Sequence, residues 1–587
     1  MKVRIALVVM SVSVLFASCM GIGVYPGTGE EEGSADYIAT VDDAIRELMR
    51  KQHIAGLSIG IVDHGSVLAL RGYGHADRES DVPATPDTVF RAYSIAKVFT
   101  ALETVRLADD GIVSLDSPVS MVLPEWQPLM RREESPPVTV RHLLTHRGGL
   151  PRNSNLRESE VPLDDCLRLQ VESLSGAWAA YPAEYRYKYS NVGFNALGRV
   201  IELERNHSFA FYMTTVALPS YGLHGSTYFL PLLPPGSVVA TGYVYRGSTY
   251  EAHAPYDING LASGNLYTTA TDLTTFITRV LGEETGADGI PLEYDTLMQT
   301  YTPQFARASD PQRNGLGWMT SEELVGELMV WHQGGDFDAN ALIALMPQSD
   351  VGICILTNTG SYEGSELVYL AAELFAALKG RPQPSAAHHE PAGQVISSRA
   401  SAQDAGQTTI TPIDQIEGRY IAFGEALDVH LRAGELRADL GPVTLKLRFE
   451  GQGALGEVYS VHHWLGNLDI DRLFPVKPSF VRIIVPPGGI GHPDHLLLSV
   501  SDIMYEFCPR YPDISVVPES WLETEGEYDG CSVEIVNNTL KMTGVGFLAN
   551  AEQNSFVVLG GIYDGETVRR DPATGSLFHQ GREYRRV

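Results

Sequence analysis

The chain has 587 residues, of which 44% are hydrophobic and 20% are charged. This composition is typical of a globular protein of roughly two to four domains, and it excludes disorder throughout the chain as well as a polytopic membrane protein. Acidic residues outnumber Lys and Arg by 72 to 43, so the net charge is −29. Because such a charge repels a phosphate backbone, we expect no nucleic-acid partner.

The N-terminal segment 1–19 predicts export. A positively charged start precedes an apolar stretch at residues 5–17, and small residues lead to Cys19. The end of the segment is similar to a bacterial lipobox, in which the cysteine carries the lipid, although Phe16 stands where that pattern prefers Leu. A plain signal peptide is the alternative. We expect the protein to be located in the bacterial cell envelope, in the periplasm or at the extracellular face. A lipid on Cys19 would link it to a membrane, and residues 20–36 would form a flexible tether.

Residues 37–380 are predicted to form the first folded domain. It begins with an amphipathic helix at 37–51, and the following apolar runs predict a β-hairpin. The predicted strands are 57–62, 67–72, 329–332, 341–346 and 351–357, and the closing helix is 365–378. Strands at both ends of the domain predict one antiparallel sheet flanked by helices, with a helical insertion in the middle. The predicted fold class is α+β.

The composition changes after this domain. Residues 381–412 are rich in Pro, Ser, Ala, Gln and Gly, which predicts a linker. In residues 413–587 hydrophobic side chains alternate with polar ones, and turn residues recur at 433–434, 537–538 and 572–575. This pattern predicts an all-β module, either a lipocalin-like barrel or a sandwich.

The other cysteines and the histidine clusters predict little chemistry. Cys354 lies in an apolar run and is expected to be a buried thiol, whereas a disulfide between Cys508 and Cys531 is left open. Histidines cluster at 388–390, 462–463 and 492–495. Because these clusters lack the spacing of known metal ligands, we expect neither a metal ion nor another cofactor.

The segment around Ser94 carries the most informative motif. A helix is predicted to begin here and to end near Asp110, so Ser94 and Lys97 lie one turn apart on the same face. A serine hydroxyl becomes a good nucleophile only when a neighbouring group takes its proton, and an amine one turn away meets that need. The helix N-terminus also directs backbone N–H groups toward a developing oxyanion. By itself, Ser-x-x-Lys is a weak pattern that also occurs on solvated helix faces.

Two later segments add weight to this motif. Tyr189 can relay a proton if a nearby cation lowers its pKa, and Asn191 offers both an amide donor and an amide acceptor to a substrate. Residues 331–335 read Trp-His-Gln-Gly-Gly and end an apolar strand. A glycine pair at a strand edge allows a ligand to approach the backbone closely.

Three motifs therefore occur in order along the chain: Ser94-x-x-Lys97, Tyr189-x-Asn191 and His332-x-Gly334. Together they resemble the motifs of the serine β-lactamase and penicillin-binding protein superfamily, and most closely those of class C β-lactamases, DD-peptidases and related esterases. The segments 142–150, 260–272 and 315–318 support the resemblance, which covers residues 37–380.

The resemblance implies a role for each motif residue. Ser94 is the acylated nucleophile, Lys97 and Tyr189 share the proton transfers, and Asn191 binds the substrate amide. His332, Gly334 and Gly335, on one predicted strand, bind substrate. The N–H groups of Ser94 and Gly335 form the oxyanion hole. His332 departs from the pattern, because class C β-lactamases have Lys at this position. A His offers a weaker, pH-dependent charge to a substrate carboxylate, so efficient β-lactam hydrolysis is not expected.

The sequence thus predicts a serine hydrolase that forms an acyl-enzyme with a small-molecule or peptide substrate, such as a D-amino-acid peptide, an ester or a β-lactam. The alternative is a non-catalytic envelope protein that senses or scaffolds. The complete set of Ser94, Lys97, Tyr189 and Asn191 favours catalysis. The oligomeric state and the role of the β module are left open.

Overall fold

The computed structural model describes residues 32–380 except 129–135, 155–164, 177–178, 282–288, 306–312 and 363. Beyond residue 417 it describes the strands given below, with Thr524 and Arg585. The predicted signal segment with Cys19, residues 20–31 of the tether, the linker 381–412 and the side chain of Cys508 lie outside the described residues.

The helices of the N-terminal part are, in chain order, α1 (Glu32–Gln52), α2 (Ala96–Asp109), α3 (Val119–Val122), α4 (Val140–Leu144), α5 (Cys166–Ser173), α6 (Asn191–Arg205), α7 (Phe209–Tyr212), α8 (Leu218–Ser220), α9 (Leu261–Gly264), α10 (Ala270–Leu281), α11 (Tyr294–Tyr301) and α12 (Ser365–Leu378). Short 3₁₀ turns occur at Leu174–Gly176, Leu230–Leu232 and Pro347–Ser349, and a π-helical turn at Met213–Ala217. In the part of the chain that the structure describes, no helix has the length and apolar character needed to cross a membrane.

The strands of the same part are β1 (Gly56–Asp63), β2 (Ser66–Asp77), β3 (Val82–Pro83), β4 (Phe90–Tyr93), β5 (Gly242–Arg246), β6 (Thr249–His253), β7 (Leu266–Thr268), β8 (Met319–Ser321), β9 (Met329–Asp336), β10 (Ala339–Met346) and β11 (Val351–Thr357). Seven of them form one sheet in the order β3-β2-β1-β11-β10-β9-β8. Neighbouring strands in this sheet are antiparallel.

The central sheet joins the two ends of this part of the chain, as predicted. Leu57 of β1 pairs with Thr357 of β11, three hundred residues later in the chain. The helix α12 has the predicted bounds, whereas α1 begins at Glu32 and therefore includes the last five residues of the predicted tether. The α+β fold class is confirmed.

Helices cover both faces of the central sheet. On one face, α1 and α12 contact each other, and their apolar side chains join a core that includes Leu57 and Ile59. On the other face, α10 packs across β1 and β11 so closely that a Cβ at Gly60 would lie 1.8 Å from the Thr274 hydroxyl oxygen. Cys354 is fully buried on β11, and burial raises the pKa of its thiol to about 11. The prediction of a buried thiol at this position is confirmed.

The C-terminal part is all-β, as predicted. Its strands are β12 (Gly418–Ala422), β13 (Glu425–Arg432), β14 (Glu435–Leu440), β15 (Val443–Gly453), β16 (Gly456–His463), β17 (Arg482–Val485), β18 (His495–Ser501), β19 (Met504–Pro509), β20 (Gly526–Tyr528), β21 (Cys531–Val536), β22 (Thr539–Met542), β23 (Gly546–Glu552), β24 (Ser555–Leu559), β25 (Thr567–Arg570), β26 (Leu577–His579) and β27 (Arg582–Tyr584).

These strands form two sheets. Strands β12 to β19 make one eight-stranded sheet in chain order, and β20 to β27 make another. The first strand of the first sheet contacts its last strand, an arrangement typical of an up-and-down barrel. The strands on either side of each predicted turn pair with each other. The turn residues at 433–434, 537–538 and 572–575 themselves lie outside the described residues.

Candidate active site

Ser94 lies in a tight turn between β4 and α2, two residues before the first residue of the helix. The preceding residue, Tyr93, has a φ of +45°, in the left-handed region that a bulky side chain rarely adopts. Strained backbone of this kind persists only where surrounding contacts enforce it. The turn therefore presents the Ser94 side chain from a fixed and energetically unfavourable backbone conformation.

Contacts of the Tyr93 side chain stabilise the turn. Its hydroxyl donates a hydrogen bond to Asp338, and the guanidinium of Arg91 lies 4.4 Å from the centre of its ring. The same guanidinium lies 3.9 Å from the ring centre of Tyr256. Arg91 is buried, and its three guanidinium nitrogens have no hydrogen-bond partner among the described residues. The aromatic rings are therefore its main electrostatic partners in this part of the chain.

Lys97 occupies the first turn of α2, one turn beyond Ser94. Its Nζ donates a hydrogen bond to Ser94 Oγ at 3.0 Å and another to the backbone oxygen of Ser263 at 2.5 Å. The residue is completely buried, and its Nζ lies 4.7 Å from the ring centre of Tyr189. Two hydrogen bonds and an aromatic face therefore fix the amine against the serine hydroxyl.

Tyr189 approaches the same hydroxyl from a different segment. It lies two residues before α6, and its OH donates a hydrogen bond to Ser94 Oγ at 2.9 Å. Ser94 Oγ thus lies within hydrogen-bonding distance of both an amine and a phenol. Either group can exchange a proton with the serine without a change of backbone position.

Asn191 is the first residue of α6. Ser190 caps this helix, because its Oγ accepts a hydrogen bond from the Gly193 N–H at 3.1 Å. The amide Nδ2 of Asn191 donates to Asn153 Oδ1 at 2.6 Å. The two amides lie beside each other in the same cavity as Ser94, where they can hydrogen-bond a substrate amide.

The structure places His332 differently from the sequence-based expectation. The side chain is only 3% exposed, and its Nδ1 lies 2.8 Å from the Gln333 backbone oxygen, so Nδ1 carries the proton that is donated to this carbonyl. Burial and the charge of Lys97 lower the pKa of His332 to about 3. The structure therefore does not provide the pH-dependent charge expected of His332, because the imidazole is neutral at physiological pH and offers no positive charge to a substrate carboxylate.

The two glycines that follow complete the edge of the site. A Cβ at Gly334 would lie 2.0 Å from the Ala92 backbone oxygen, so β9 lies directly against the turn that presents Ser94. Gly335 pairs with Asn340 of β10 and lines the cavity that contains Ser94. The strand edge is thus in position to provide a backbone N–H group near the serine.

A cavity of about 50 Å³ lies at Ser94, and most of its lining is polar. Arg152, Asn153 and Asp336 contribute to its wall together with Ser94, Asn191 and Gly335. The guanidinium of Arg152 lies 4.9 Å from the ring centre of Tyr189. The cavity therefore places a cation, an anion and several amides around the Ser94 hydroxyl.

Several contributors were not predicted individually. Arg152, Asn153 and the carbonyl of Ser263 lie within or next to the segments 142–150 and 260–272, which carried the resemblance only as sequence. Their chemistry depends on tertiary contacts that no local pattern shows. Among the described residues, no group of three or more His, Cys, Asp or Glu side chains could hold a metal ion.

Two curated relatives share part of this sequence. Protein flp of Staphylococcus aureus is 27% identical over 333 residues, which are 56% of this chain and 64% of the relative. Esterase EstB of Burkholderia gladioli is 38% identical over 117 residues, which are 20% of this chain and 30% of the relative. The match thus spans less than two thirds of each relative.

Solved structures share the fold. The octameric penicillin-binding protein homologue from Pyrococcus abyssi matches with a TM-score of 0.53 at 21% identity, covering 80% of this chain and 99% of the other. A class C beta-lactamase matches with a TM-score of 0.51 at 23% identity, covering 61% and 100%. The Beta-lactamase family model matches residues 41–377, which contain every element of the site described above. On this match, the chain belongs to the Beta-lactamase family.

Proposed function

We propose that this protein is an exported serine hydrolase that forms an acyl-enzyme on Ser94. One observation carries the proposal: Ser94 Oγ lies 3.0 Å from Lys97 Nζ and 2.9 Å from the Tyr189 OH. A serine needs a neighbouring proton acceptor to become nucleophilic, and two candidates contact this one. A scaffold that forms no covalent bond with its ligand has no chemical need for a buried lysine against a serine hydroxyl.

Acylation begins when Ser94 Oγ attacks the substrate carbonyl carbon. The hydroxyl proton passes to the pair of Lys97 and Tyr189, and the carbonyl oxygen becomes an oxyanion that accepts hydrogen bonds from the N–H groups of Ser94 and Gly335. The acceptor is whichever member of this pair is deprotonated when the substrate binds. As the tetrahedral intermediate collapses, the bond to the leaving group breaks. The leaving nitrogen or oxygen takes the proton from the pair.

Deacylation reverses these roles. A water molecule attacks the ester carbon of the acylated Ser94 and gives one proton to Lys97 and Tyr189. When the intermediate collapses, the ester bond breaks and the proton returns to Ser94 Oγ, which releases a carboxylic acid and regenerates the enzyme. The hydrogen bond of Lys97 to the Ser263 carbonyl keeps the amine in place through both halves of the cycle.

The proposed substrates are carbonyl compounds of three classes: D-amino-acid peptides, esters and β-lactams. Esterase EstB and class C β-lactamases, which resemble this chain, are named for two of these classes. Within the cavity, Asn191 and Asn153 suit an amide group of the substrate, and Arg152 suits a carboxylate. Arg152 thus replaces His332 as the proposed partner of a substrate carboxylate.

We also propose that the protein acts in the cell envelope. Support comes from the sequence of residues 1–19, with its positive start, apolar stretch and Cys19 after small residues. Labelling with radioactive palmitate tests lipidation directly. We expect label on the wild-type chain and none on Cys19→Ala, and label on neither chain would contradict the anchor.

Covalent labelling of the full chain tests the hydrolase. A fluorescent fluorophosphonate and a fluorescent penicillin are each added, and the labelled protein is digested with trypsin. Cleavage after Arg91 and Lys97 releases the peptide 92–97, whose only serine is Ser94. We expect the fluorophosphonate adduct on this peptide in the wild type and in Ser154→Ala, a neighbouring cavity serine, but not in Ser94→Ala.

The outcomes distinguish a serine hydrolase from a non-catalytic envelope protein with the same fold. A folded wild-type chain that no probe labels would contradict the hydrolase and support a non-catalytic envelope protein. Labelling of Ser94→Ala at the wild-type rate would show that another residue is the nucleophile. Labelling by the fluorophosphonate but not by the penicillin would keep the hydrolase and remove β-lactams from the substrate classes.

A further inference from the structure

His146 holds the backbone on both sides of Tyr189. Its carbonyl oxygen accepts a hydrogen bond from the Lys188 N–H at 2.8 Å, and its imidazole Nδ1 accepts one from the Ser190 N–H at 3.1 Å. These two donors flank Tyr189 in the sequence. A single residue therefore fixes the peptide groups from which the Tyr189 side chain projects.

The imidazole also contacts the Tyr189 side chain itself. The two ring centres lie 4.3 Å apart, and the ring planes are inclined by 30°. Phe194 supports the imidazole from α6, with ring centres 5.0 Å apart. The contact restricts the position of the phenol ring, so the OH that reaches Ser94 is fixed through its backbone and through its ring.

Holding His146 in this place is unfavourable for the rest of the fold. Its φ is +56°, in the left-handed region, and its side chain is 5% exposed. Burial, together with the charges of Lys97 and Arg152, lowers the pKa of the imidazole well below its usual value. Strained backbone and a buried polar ring of this kind are found where they serve a site.

We propose that His146 is a positioning residue that holds the Tyr189 hydroxyl on Ser94 for proton transfer. The inference rests on the proposed function and adds a residue to its mechanism. The His146 imidazole is buried against the rings of Tyr187, Tyr189 and Phe194, so it acts on the reaction through Tyr189 and not through contact with substrate. Its loss should therefore lower kcat and leave KM unchanged.

Two variants separate the two kinds of contact. His146→Phe keeps an aromatic ring against Tyr189 but removes the acceptor for the Ser190 N–H. His146→Asn keeps a side-chain acceptor near the position of Nδ1 and tolerates a left-handed backbone, but it removes the ring. We expect a fall in kcat of about 10- to 100-fold for His146→Phe, the range for a misplaced catalytic group, and a smaller fall for His146→Asn.

His142 provides the matched control. His142 is also buried and lies four residues before His146. Its imidazole contacts Thr139 and Glu184 instead of residues 188–190. Hydrolysis of a p-nitrophenyl ester is measured for all variants, and each kcat is divided by the fraction of chains that a fluorophosphonate labels. We expect His142→Asn to keep the wild-type kcat per labelled site.

The deciding measurement compares His146→Phe in the wild type and in Tyr189→Phe, with the rate of Ser94 labelling as the readout at high probe concentration. If His146 acts through Tyr189, its substitution should have no further effect once the phenol is absent. An equal fold-loss in both backgrounds, or an unchanged kcat in His146→Phe, would overturn the inference. Failure of the hydrolase itself is seen separately, as labelling that survives Ser94→Ala.

Discussion

Gly334 lies so close to Ser94 that no side chain fits between them. A Cβ at position 334 would lie 2.9 Å from the Ser94 backbone nitrogen and 2.0 Å from the backbone oxygen of Ala92. Both neighbours are backbone atoms, which cannot move aside as the end of a flexible side chain can. The distance between the nucleophile turn and β9 is therefore set by the absence of a side chain at position 334. That distance also sets the separation of the two N–H groups proposed to bind the oxyanion.

We predict that Gly334→Ala separates these two backbone segments. The methyl group should lower the free energy of unfolding by about 1–3 kcal/mol, the usual range for an overpacked site. It should also lower kcat for a p-nitrophenyl ester by about 10²- to 10³-fold, as the loss of an oxyanion donor does. Gly111→Ala is the control, because its left-handed φ makes the substitution strained while no atom lies within 4 Å. Equal losses of activity in both variants would contradict the role of this distance.

The buried histidine on β9 predicts how stability changes with pH. The pKa of His332 is about 3 in the folded protein, against about 6.5 in an unfolded chain. Between these values the unfolded chain binds a proton that the folded protein does not, so the free energy of unfolding falls as the pH falls. His146 acts in the same direction, because its pKa is lowered as well.

We therefore expect His332→Asn to flatten this dependence by about 1.4 kcal/mol per pH unit between about pH 4 and 6. Denaturant unfolding of both proteins at several pH values measures the slopes. His64→Asn is the control, since the His64 side chain is 67% exposed. If wild type and His332→Asn have parallel stability curves, His332 is charged in the folded protein and the sequence-based expectation is restored.

Arg152 predicts a preference between substrates. Its guanidinium lines the cavity beside Ser94, so it can pair with a carboxylate on the bound substrate. We expect Arg152→Gln to lower kcat/KM by about 10-fold or more for a carboxylate-bearing ester or peptide, the loss of one charged hydrogen bond. A neutral p-nitrophenyl ester should change by less than about three-fold, which is under 1 kcal/mol.

Arg246→Gln removes a similar charge from an exposed position and should affect neither substrate. The ratio of kcat/KM between charged and neutral substrates is the quantity to compare. A loss shared equally by both substrates would show that Arg152 supports the Tyr189 ring rather than a substrate carboxylate.

Local patterns were sufficient to predict most of the N-terminal fold. The run at Val351–Thr357 is apolar up to its last residue, and it forms the buried strand β11 with the predicted bounds. The helix α12 is likewise confirmed at Ser365–Leu378 because its apolar periodicity is continuous. The start of α1 was missed, since the Gly- and Glu-rich segment before Tyr37 has no apolar stripe.

The electrostatics of the site could not be predicted in the same way. His332 was expected to offer a pH-dependent charge to a substrate carboxylate, but its position on the inner face of β9 removes it from water. Burial depends on which face of a strand meets the core, and the short run 329–335 carries no alternation that decides this. The hydrogen bonds between His146 and the backbone around Tyr189 join residues about forty positions apart in the sequence, and no local pattern connects them.

Lys97 is the residue whose chemistry and packing are hardest to separate, and Lys97→Arg separates them. Lys97 is fully buried, and its Nζ lies 3.0 Å from Ser94 Oγ and 2.5 Å from the Ser263 backbone oxygen. A guanidinium is larger and always protonated, so it supplies a positive charge but cannot accept the serine proton. We therefore expect kcat/KM to fall by about 10²- to 10⁴-fold, the contribution of a general base. Lys379→Arg, a substitution of the same kind at an ion pair with Asp63, should keep wild-type activity. Ester hydrolysis per folded protein measures both, and activity of Lys97→Arg within three-fold of wild type would assign Lys97 a purely electrostatic role.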